Sequence, residues 1–249
     1  MAIASAPPVD LRVDLTRTTA AAAIERLTAE HPGIEIETVE DNPQTLRTRG
    51  GGDLFFGPMH GEGLISVQGL AAQQAARLLA PSPGARVLDG CAGMGVKTLQ
   101  LAELMERRGE LVAADLDPEQ LAEAEQLRAR GQLDTADFDL QVVAADLCTD
   151  HAALDEAPFD AVLLDVPCTG LGNLARHPEI RWNRVHDDIA ARAQLQRDLL
   201  HRNLQRVRPG GTLVYGVCSF AAEEGPDVVA TAVEQGLARC EHQRTWTPE

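Results

Sequence analysis

The sequence predicts an α/β fold of the Rossmann-like kind, a mostly parallel sheet with helices on both faces, preceded by a small N-terminal α+β appendage. Three observations carry this expectation. Beyond residue 67, short apolar runs alternate with helix-length segments, the pattern of strands joined by crossover helices. The first run, Arg86-Val87-Leu88-Asp89, opens into a glycine-rich turn. The second, Leu111 to Ala114, is followed at once by an acidic residue, Asp115.

Residues 1–66 form the expected appendage. Thr18 to His31 predicts a helix, because threonines can cap its start, alanines favour it and Pro32-Gly33 stops it. Ile34 to Val39 alternates apolar and acidic residues, as a half-buried strand does. Residues 41–63, rich in Gly, Pro, Asn and Asp, predict loop with short strands. Residues 67–249 are expected to form the second, larger domain. Gln68 to Leu79 is an Ala-rich helix ending before Pro81-Ser82-Pro83-Gly84. Strands are expected at Arg86–Asp89, Leu111–Ala114, Leu140–Ala144, Phe159–Leu164 and Thr212–Val217, the last entered through Pro209-Gly210-Gly211. Helices are expected at Thr98–Arg107, Pro118–Arg130, Asp188–Val207 and Glu223–Gln235, with Pro118 suited to a first turn. Ligands of such sheets bind outside the carboxyl ends of the strands, and every motif below falls at such an end.

A chain of 249 residues, 44% of them hydrophobic, suffices for one α/β domain with a small addition. It contains no run of eighteen apolar residues, and MAIASAPPVD lacks the basic and apolar regions of a signal peptide. A cytoplasmic protein without membrane contact is expected. The five cysteines are odd in number and form no C-x-x-C pair, which argues against a disulfide framework and against a zinc site; no metal is expected. The net charge of −16 argues against a protein that coats nucleic acid indiscriminately. The charge is uneven, however. Between Glu103 and Asp160 sixteen acids meet four arginines, whereas between Gly170 and Gly210 eight arginines meet four acids. The second stretch suits a polyanion; the plainer alternative is an acidic surface with arginine-bearing helices.

The turn after the first strand reads Asp89-Gly90-Cys91-Ala92-Gly93-Met94-Gly95-Val96-Lys97-Thr98. Its glycines let backbone approach a ligand and enter a helix. Asp115, about twenty residues on, is placed to take both hydroxyls of a ribose. A nucleoside-triphosphate loop would need lysine one residue earlier, and a dinucleotide fingerprint would need a third glycine. S-adenosylmethionine, which carries no phosphate and needs no anion nest, fits best.

Two cysteines stand at strand ends, Cys168 in Asp165-Val166-Pro167-Cys168-Thr169-Gly170 and Cys218 in Tyr215-Gly216-Val217-Cys218-Ser219. A lone cysteine is usually a small buried hydrophobe, the reading kept for Cys91, Cys148 and Cys240. Two at corresponding strand ends suggest covalent catalysis. Carbon 5 of cytosine is a poor nucleophile, and a thiolate adding to carbon 6 activates it. Cys218 is the expected nucleophile. Asp165 could hydrogen-bond the base edge, and the base must leave its stack to react.

With Arg176-His177-Pro178-Glu179-Ile180-Arg181-Trp182 and Ser66-Val67-Gln68-Gly69-Leu70-Ala71-Ala72-Gln73, these motifs occur in the order seen in the Sun-type RNA cytosine-5 methyltransferases. The chain resembles that family over roughly residues 10–245, most closely the bacterial branch that modifies small-subunit ribosomal RNA. The resemblance implies an S-adenosylmethionine-dependent methyltransferase fold and an RNA partner, small-subunit rRNA before tRNA. It implies cofactor binding by Cys91, Ala92, Gly93, Met94, Gly95, Val96, Lys97, Asp115, Asp146 and Asp165, with Asp146 near the adenine. It implies Cys218 as nucleophile, Cys168 as the residue that assists release of the enzyme, Lys97 reaching the target base, and Arg176, Arg181 and Trp182 on the RNA side. Met94 and Val96 replace the family's usual Pro and Gly, which predicts weaker cofactor binding, and Val217 replaces its usual Thr. The sequence stops about where the family continues into a last strand, so an unpaired sheet edge is expected. A monomer is expected. Two other readings compete: a catalytically weakened RNA-binding or ribosome-assembly factor with the same fold, and a methyltransferase acting on a small molecule or protein.

Overall fold

The computed structural model describes residues 8–54, 57–174 and 176–246. An antiparallel sheet comes first, built from β1 (Val9–Val13), β2 (Glu35–Val39), β3 (Asn42–Arg49) and β4 (Ile65–Val67) in the order β2-β3-β1-β4. Two helices accompany it, α1 (Ala20–Glu30) and the single turn α2 (Pro58–Gly61). The Thr19 hydroxyl accepts the Ala22 N–H at 3.1 Å and caps α1. Leu11, Val13, Ala23, Leu27, Leu46, Met59 and Ile65 bury together as this unit's own core.

The second unit starts with α3 (Leu70–Leu79) and then alternates β5 (Arg86–Gly90), α4 (Val96–Leu104), β6 (Gly109–Asp115), α5 (Pro118–Arg130) and β7 (Phe138–Ala144). There follow α6 (Ala152–Asp155), β8 (Phe159–Asp165), α7 (Ile180–Asn183), α8 (His186–Leu204), β9 (Val207–Gly216) and α9 (Pro226–Glu234). The five strands form an all-parallel sheet in the order β7-β6-β5-β8-β9. Because side chains alternate across a strand, β5 and β6 feed two cores. Val87, Leu111 and Ala113 pack with Leu99, Leu101 and Ala102 of α4. Leu88, Val112 and Ala114 pack with Leu199 and Leu200 of α8 and Val228 of α9. Both faces are thus apolar and covered, as a parallel sheet requires. Chain order reverses at β5, between β6 and β8, which puts the ligand crevice over the carboxyl ends of these strands.

The two units are joined by buried polar contacts. Arg12 of β1, 1% exposed, donates to Glu103 of α4 at 2.5 Å and to Gln68 at 2.8 Å. Arg107 donates to Asp14 at 2.5 Å, and Gln68 to Gln100 at 2.9 Å. Burial pushes the Glu103 carboxyl up to about 7 against the opposing pull of Arg12, while desolvation lowers Arg12 itself.

Several elements differ from the sequence expectation. The segment expected as loop with short strands holds β3, eight residues long. β1 and β4 were not expected, and β4 carries the antiparallel sheet to Val67, beside the expected boundary at 66. α4 begins two residues early, at Val96, and ends at Leu104. β9 begins at Val207: Pro209-Gly210-Gly211 is not a lead-in turn but an irregularity in which Phe159 pairs with Val207 and Ala161 with Thr212. Pro226 starts α9 afresh, leaving Ala222–Glu224 as a separate single 3-10 turn. Among the described residues β9 pairs with β8 alone, and no helix is long and apolar enough to cross a membrane.

Candidate active site

The turn after β5 is held in left-handed backbone at Cys91 (φ 59°), Gly93 (φ 56°) and Gly95 (φ 79°). Two of its glycines are fixed from behind: a Cβ on Gly90 would lie 2.6 Å from Leu164 Cδ2, and one on Gly95 2.9 Å from Ala124 Cβ. The Gly93 N–H donates to Asp115 Oδ2 at 2.9 Å, and the Asp117 N–H to Asp115 Oδ1 at 2.9 Å. Asp115 therefore stands fixed against the turn, each oxygen keeping one lone pair for a ligand.

Asp89, absent from the expected site, is buried at the end of β5. Thr98 Oγ1 donates to its Oδ2 at 2.6 Å, while its buried Oδ1 has no partner. Burial pushes this carboxyl up to about 7, against the Thr98 hydrogen bond and nearby Lys97. Asp146 follows β7 at an exposed position and accepts the Cys148 N–H at 2.9 Å, while the Ala145 N–H donates to the Asp115 carbonyl at 2.9 Å. Asp89, Asp115, Asp146 and Asp165 thus stand at or just past the ends of four strands. A glycine turn, a ribose-ready carboxylate and an orphaned buried acceptor fit a nucleoside cofactor bearing an ammonium group.

Asp165 ends β8 and is ion-paired with Lys97 of α4. Burial opposes the lysine's charge, but Asp165, with Asp89 adding, outweighs it and holds the ammonium above its usual range. The loops after β8 and β9 are laced together: Val166 N–H donates to Gly216 O at 3.1 Å, and Gly172 N–H to Cys218 O at 3.0 Å. A Cβ on Gly172 would lie 3.1 Å from the Cys218 carbonyl oxygen. Cys218 is exposed at the rim. The walls of its niche desolvate the sulfur and, with Asp165, push the thiol up; Lys97 and the Asn173 side chain pull it back. Cys168 is pushed up to about 11, first by burial, with Cys218 and Glu224 adding and the N–H groups of Gly170 and Cys218 opposing. Lys97, Asp165, Cys168 and Cys218 therefore share one site.

Cys91 and Cys148 are half-buried against the α8 side of the sheet, and burial raises both thiols. Cys240 corrects its expectation: it lies exposed in the irregular segment after α9, because no element there packs over it. All five cysteines are free. Met94 is 58% exposed at the turn. Arg176, Arg181 and Trp182 lie on the exposed segment after Gly170, Trp182 being 82% exposed and Arg176 lying against Gly69. Arg184, not singled out in the sequence, folds this segment back by donating to the Thr169 carbonyl at 3.2 Å. Sequence reasoning also missed Asp89, Asn173 and Glu224. Of these only Asp89 had a signal, as an acid closing the first parallel strand.

Five parallel strands in this order, a glycine turn after the first and acids at successive strand ends define a Rossmann-like methyltransferase fold. The chain belongs to the RsmB/F family: residues 76–246 match the family model described as 16S rRNA methyltransferase RsmB/F. It is 32% identical over 244 residues to the ribosomal RNA small subunit methyltransferase B of Proteus mirabilis, covering 98% of this chain and 56% of that protein. The Pseudomonas syringae pv. tomato protein of the same description is 40% identical over 172 residues, 69% of this chain and 37% of that protein. The chain spans about half the length of the curated relatives it matches. Among solved structures, PH0851 superposes with a TM-score of 0.85 at 31% identity, over 92% of this chain and 50% of that one. NSun6 from Pyrococcus horikoshii, solved with SFG, superposes with a TM-score of 0.81 at 19% identity, over 93% of this chain and 81% of that one, a likeness of fold.

Proposed function

We propose that this chain methylates carbon 5 of a cytosine in RNA, small-subunit ribosomal RNA first, through a covalent bond between Cys218 and the base. The single observation that carries this reading is the convergence of Cys218, Cys168, Lys97 and Asp165 beside the glycine turn. Membership in a family described by 16S rRNA methylation supports the substrate.

The cofactor would be S-adenosylmethionine, held by backbone of residues 91–97, by Asp115 at the ribose, Asp146 toward the adenine and Asp89 at the ammonium. When bound it supplies an electrophilic methyl group. The chain's own residues prepare the base to receive it. Cys218 is stored as a thiol and, exposed at the rim, loses its proton to water as it attacks; its sulfur then bonds to carbon 6, and the ring's electron pair is pushed toward carbon 5. Asp165, oriented by Lys97, would hydrogen-bond the pyrimidine edge and stabilise charge there. Once carbon 5 carries its new substituent, its proton leaves to a base, the pair returns to the ring and the carbon 6–sulfur bond breaks. Cys168, held protonated, assists that release. Arg176, Arg181 and Trp182 would contact RNA, Trp182 by stacking on an unpaired base. The protein would act as a monomer.

The test is methylation of deproteinised small-subunit rRNA in vitro, read by bisulfite sequencing. Cys218→Ala is expected to abolish the mark, and Cys168→Ala to accumulate a protein–RNA adduct that survives denaturing electrophoresis. Full turnover by Cys218→Ala would overturn the covalent route.

A further inference from the structure

Glu224 has none of the marks of a functional residue in the sequence, where it sits in the acidic run Ala222-Glu223-Glu224-Gly225. In the structure it is fully buried, and its carboxylate is the meeting point of three elements. Oε1 accepts the Thr169 N–H at 2.7 Å and the Gln196 side-chain amide at 3.3 Å. Oε2 accepts the Ser219 hydroxyl at 2.6 Å and the Thr169 hydroxyl. The Glu224 carbonyl takes the Tyr215 hydroxyl at 2.6 Å. Thr169 directly follows Cys168, and Ser219 directly follows Cys218. Gln196, buried on α8, also donates to the Pro167 carbonyl at 3.0 Å, on the other side of Cys168.

Two donors on each oxygen fill the acceptor positions of an ionised carboxylate. None of those donors is a cation. A buried carboxylate without a counter-charge is costly, and a neutral amide would suit a purely structural bridge at less expense. The charge therefore asks for an explanation, and its location next to the two cysteines supplies one.

We propose that Glu224 is a positioning residue for the two-cysteine chemistry, its buried carboxylate bridging the loop that carries Cys168 to the loop that carries Cys218 and setting the two sulfurs apart in charge. The inference rests on the roles proposed above for Cys168 and Cys218. The titratable and charged groups around Cys168 include Cys218, Glu224 and Tyr215, with Arg184 on the carbonyl of the adjacent Thr169 and Arg197 acting on Tyr215 from α8. Burial is the main force that keeps Cys168 a neutral thiol and Glu224 a smaller addition to it, whereas Lys97 favours the thiolate of Cys218. One sulfur is thereby kept for attack and the other for release, although the loops lie in hydrogen-bond contact.

Glu224→Gln keeps the shape and removes the charge. Peptide-resolved alkylation of the full chain by iodoacetamide, from pH 6 to 10, reads each thiol separately, with exposed Cys240 as internal control. In Glu224→Gln the labelling of Cys168 at pH 8.5 is expected to rise at least twofold, with Cys240 unchanged. In rRNA methylation kcat is expected to fall at least tenfold, with KM for S-adenosylmethionine within twofold. Glu224→Asp restores the charge and is expected to return Cys168 to slow labelling. Should Glu224→Gln not fold, Ser219→Ala removes one bond to the same carboxylate and is expected to lower kcat at least threefold without altering S-adenosylmethionine binding. Unchanged Cys168 labelling in folded Glu224→Gln, or unchanged kcat in Ser219→Ala, overturns the proposal. If the wild-type chain methylates no RNA, the functional reading fails, while the labelling pattern still decides the role of Glu224.

Discussion

The ammonium of Lys97 is paired with the carboxylate of Asp165, and the two act in opposite directions on the Cys218 thiol. One group comes from the first turn of the helix after β5 and the other from the end of β8, so the pair spans the switch point of the sheet. Asp165 would be available to a base edge only in the orientation this lysine gives it.

Lys97 is the chain's single lysine, which makes its ionisation directly observable. After reductive 13C-methylation, its NMR titration is expected to fall above the usual lysine range. Asp165→Asn should bring it down by a unit or more, because burial is then opposed only by the weaker pull of Asp89 and Cys218, and an opposite charge in contact is worth about 1–3 units. An unchanged titration would show that the pair does not persist in solution.

Asp115→Ala should raise the dissociation constant for S-adenosylmethionine by about tenfold or more, a charge-assisted hydrogen bond being worth roughly 1.5–3 kcal/mol. The variant also frees the Gly93 N–H that Asp115 now accepts. Calorimetric titration measures the loss, and unchanged affinity would misplace the ribose.

Asp89 predicts a pH dependence. Its folded value of about 7 lies above the unfolded value of about 3.9. Between those values the folded state holds more protons, so this group's contribution to stability falls as pH rises from about 4 to 7. A cofactor ammonium that pairs with the carboxylate must displace that proton. Affinity should therefore climb by up to about tenfold per pH unit below 7 and turn over near pH 8, where an α-ammonium begins to lose its own proton. Asp89→Asn should abolish the slope in titrations from pH 5.5 to 8.5.

Arg12→Ala leaves Glu103 buried without its partner, and urea unfolding should report a loss of about 3–5 kcal/mol. Replacing both, Arg12→Met with Glu103→Leu, should recover most of it. A loss below 1 kcal/mol for the single variant would mean that water reaches the pair.

The parallel half of the fold was legible because its strands are apolar on both faces and its breaks are marked by Gly and Pro. The α5 limits, Pro118 and Arg130, follow from a proline at the first turn and a glycine after the last. β1 was not legible, for a physical reason. Its run Val9-Asp10-Leu11-Arg12-Val13 buries Asp10 and Arg12 along with Leu11, whereas pattern reading assigns charges to water. The same inversion hid Glu224, whose partners Thr169 and Gln196 come from distant parts of the chain and join the nearby Ser219 only in the fold. The cysteines and the glycine turn were legible because their meaning depends on place in the strand order, which the sequence displays.

The glycine turn also bears on how relatives of this chain should be read. Leu164 fills the space where a side chain at position 90 would go, and Ala124 does the same at position 95. Both constraints come from the protein's interior and persist whether or not anything occupies the crevice. A relative that transfers no methyl group would still need glycine at these two places in order to fold. Glycine there testifies to architecture; evidence of continued use must be sought in the acceptor positions the fold itself leaves unfilled, the buried Oδ1 of Asp89 and the spare lone pairs of Asp115.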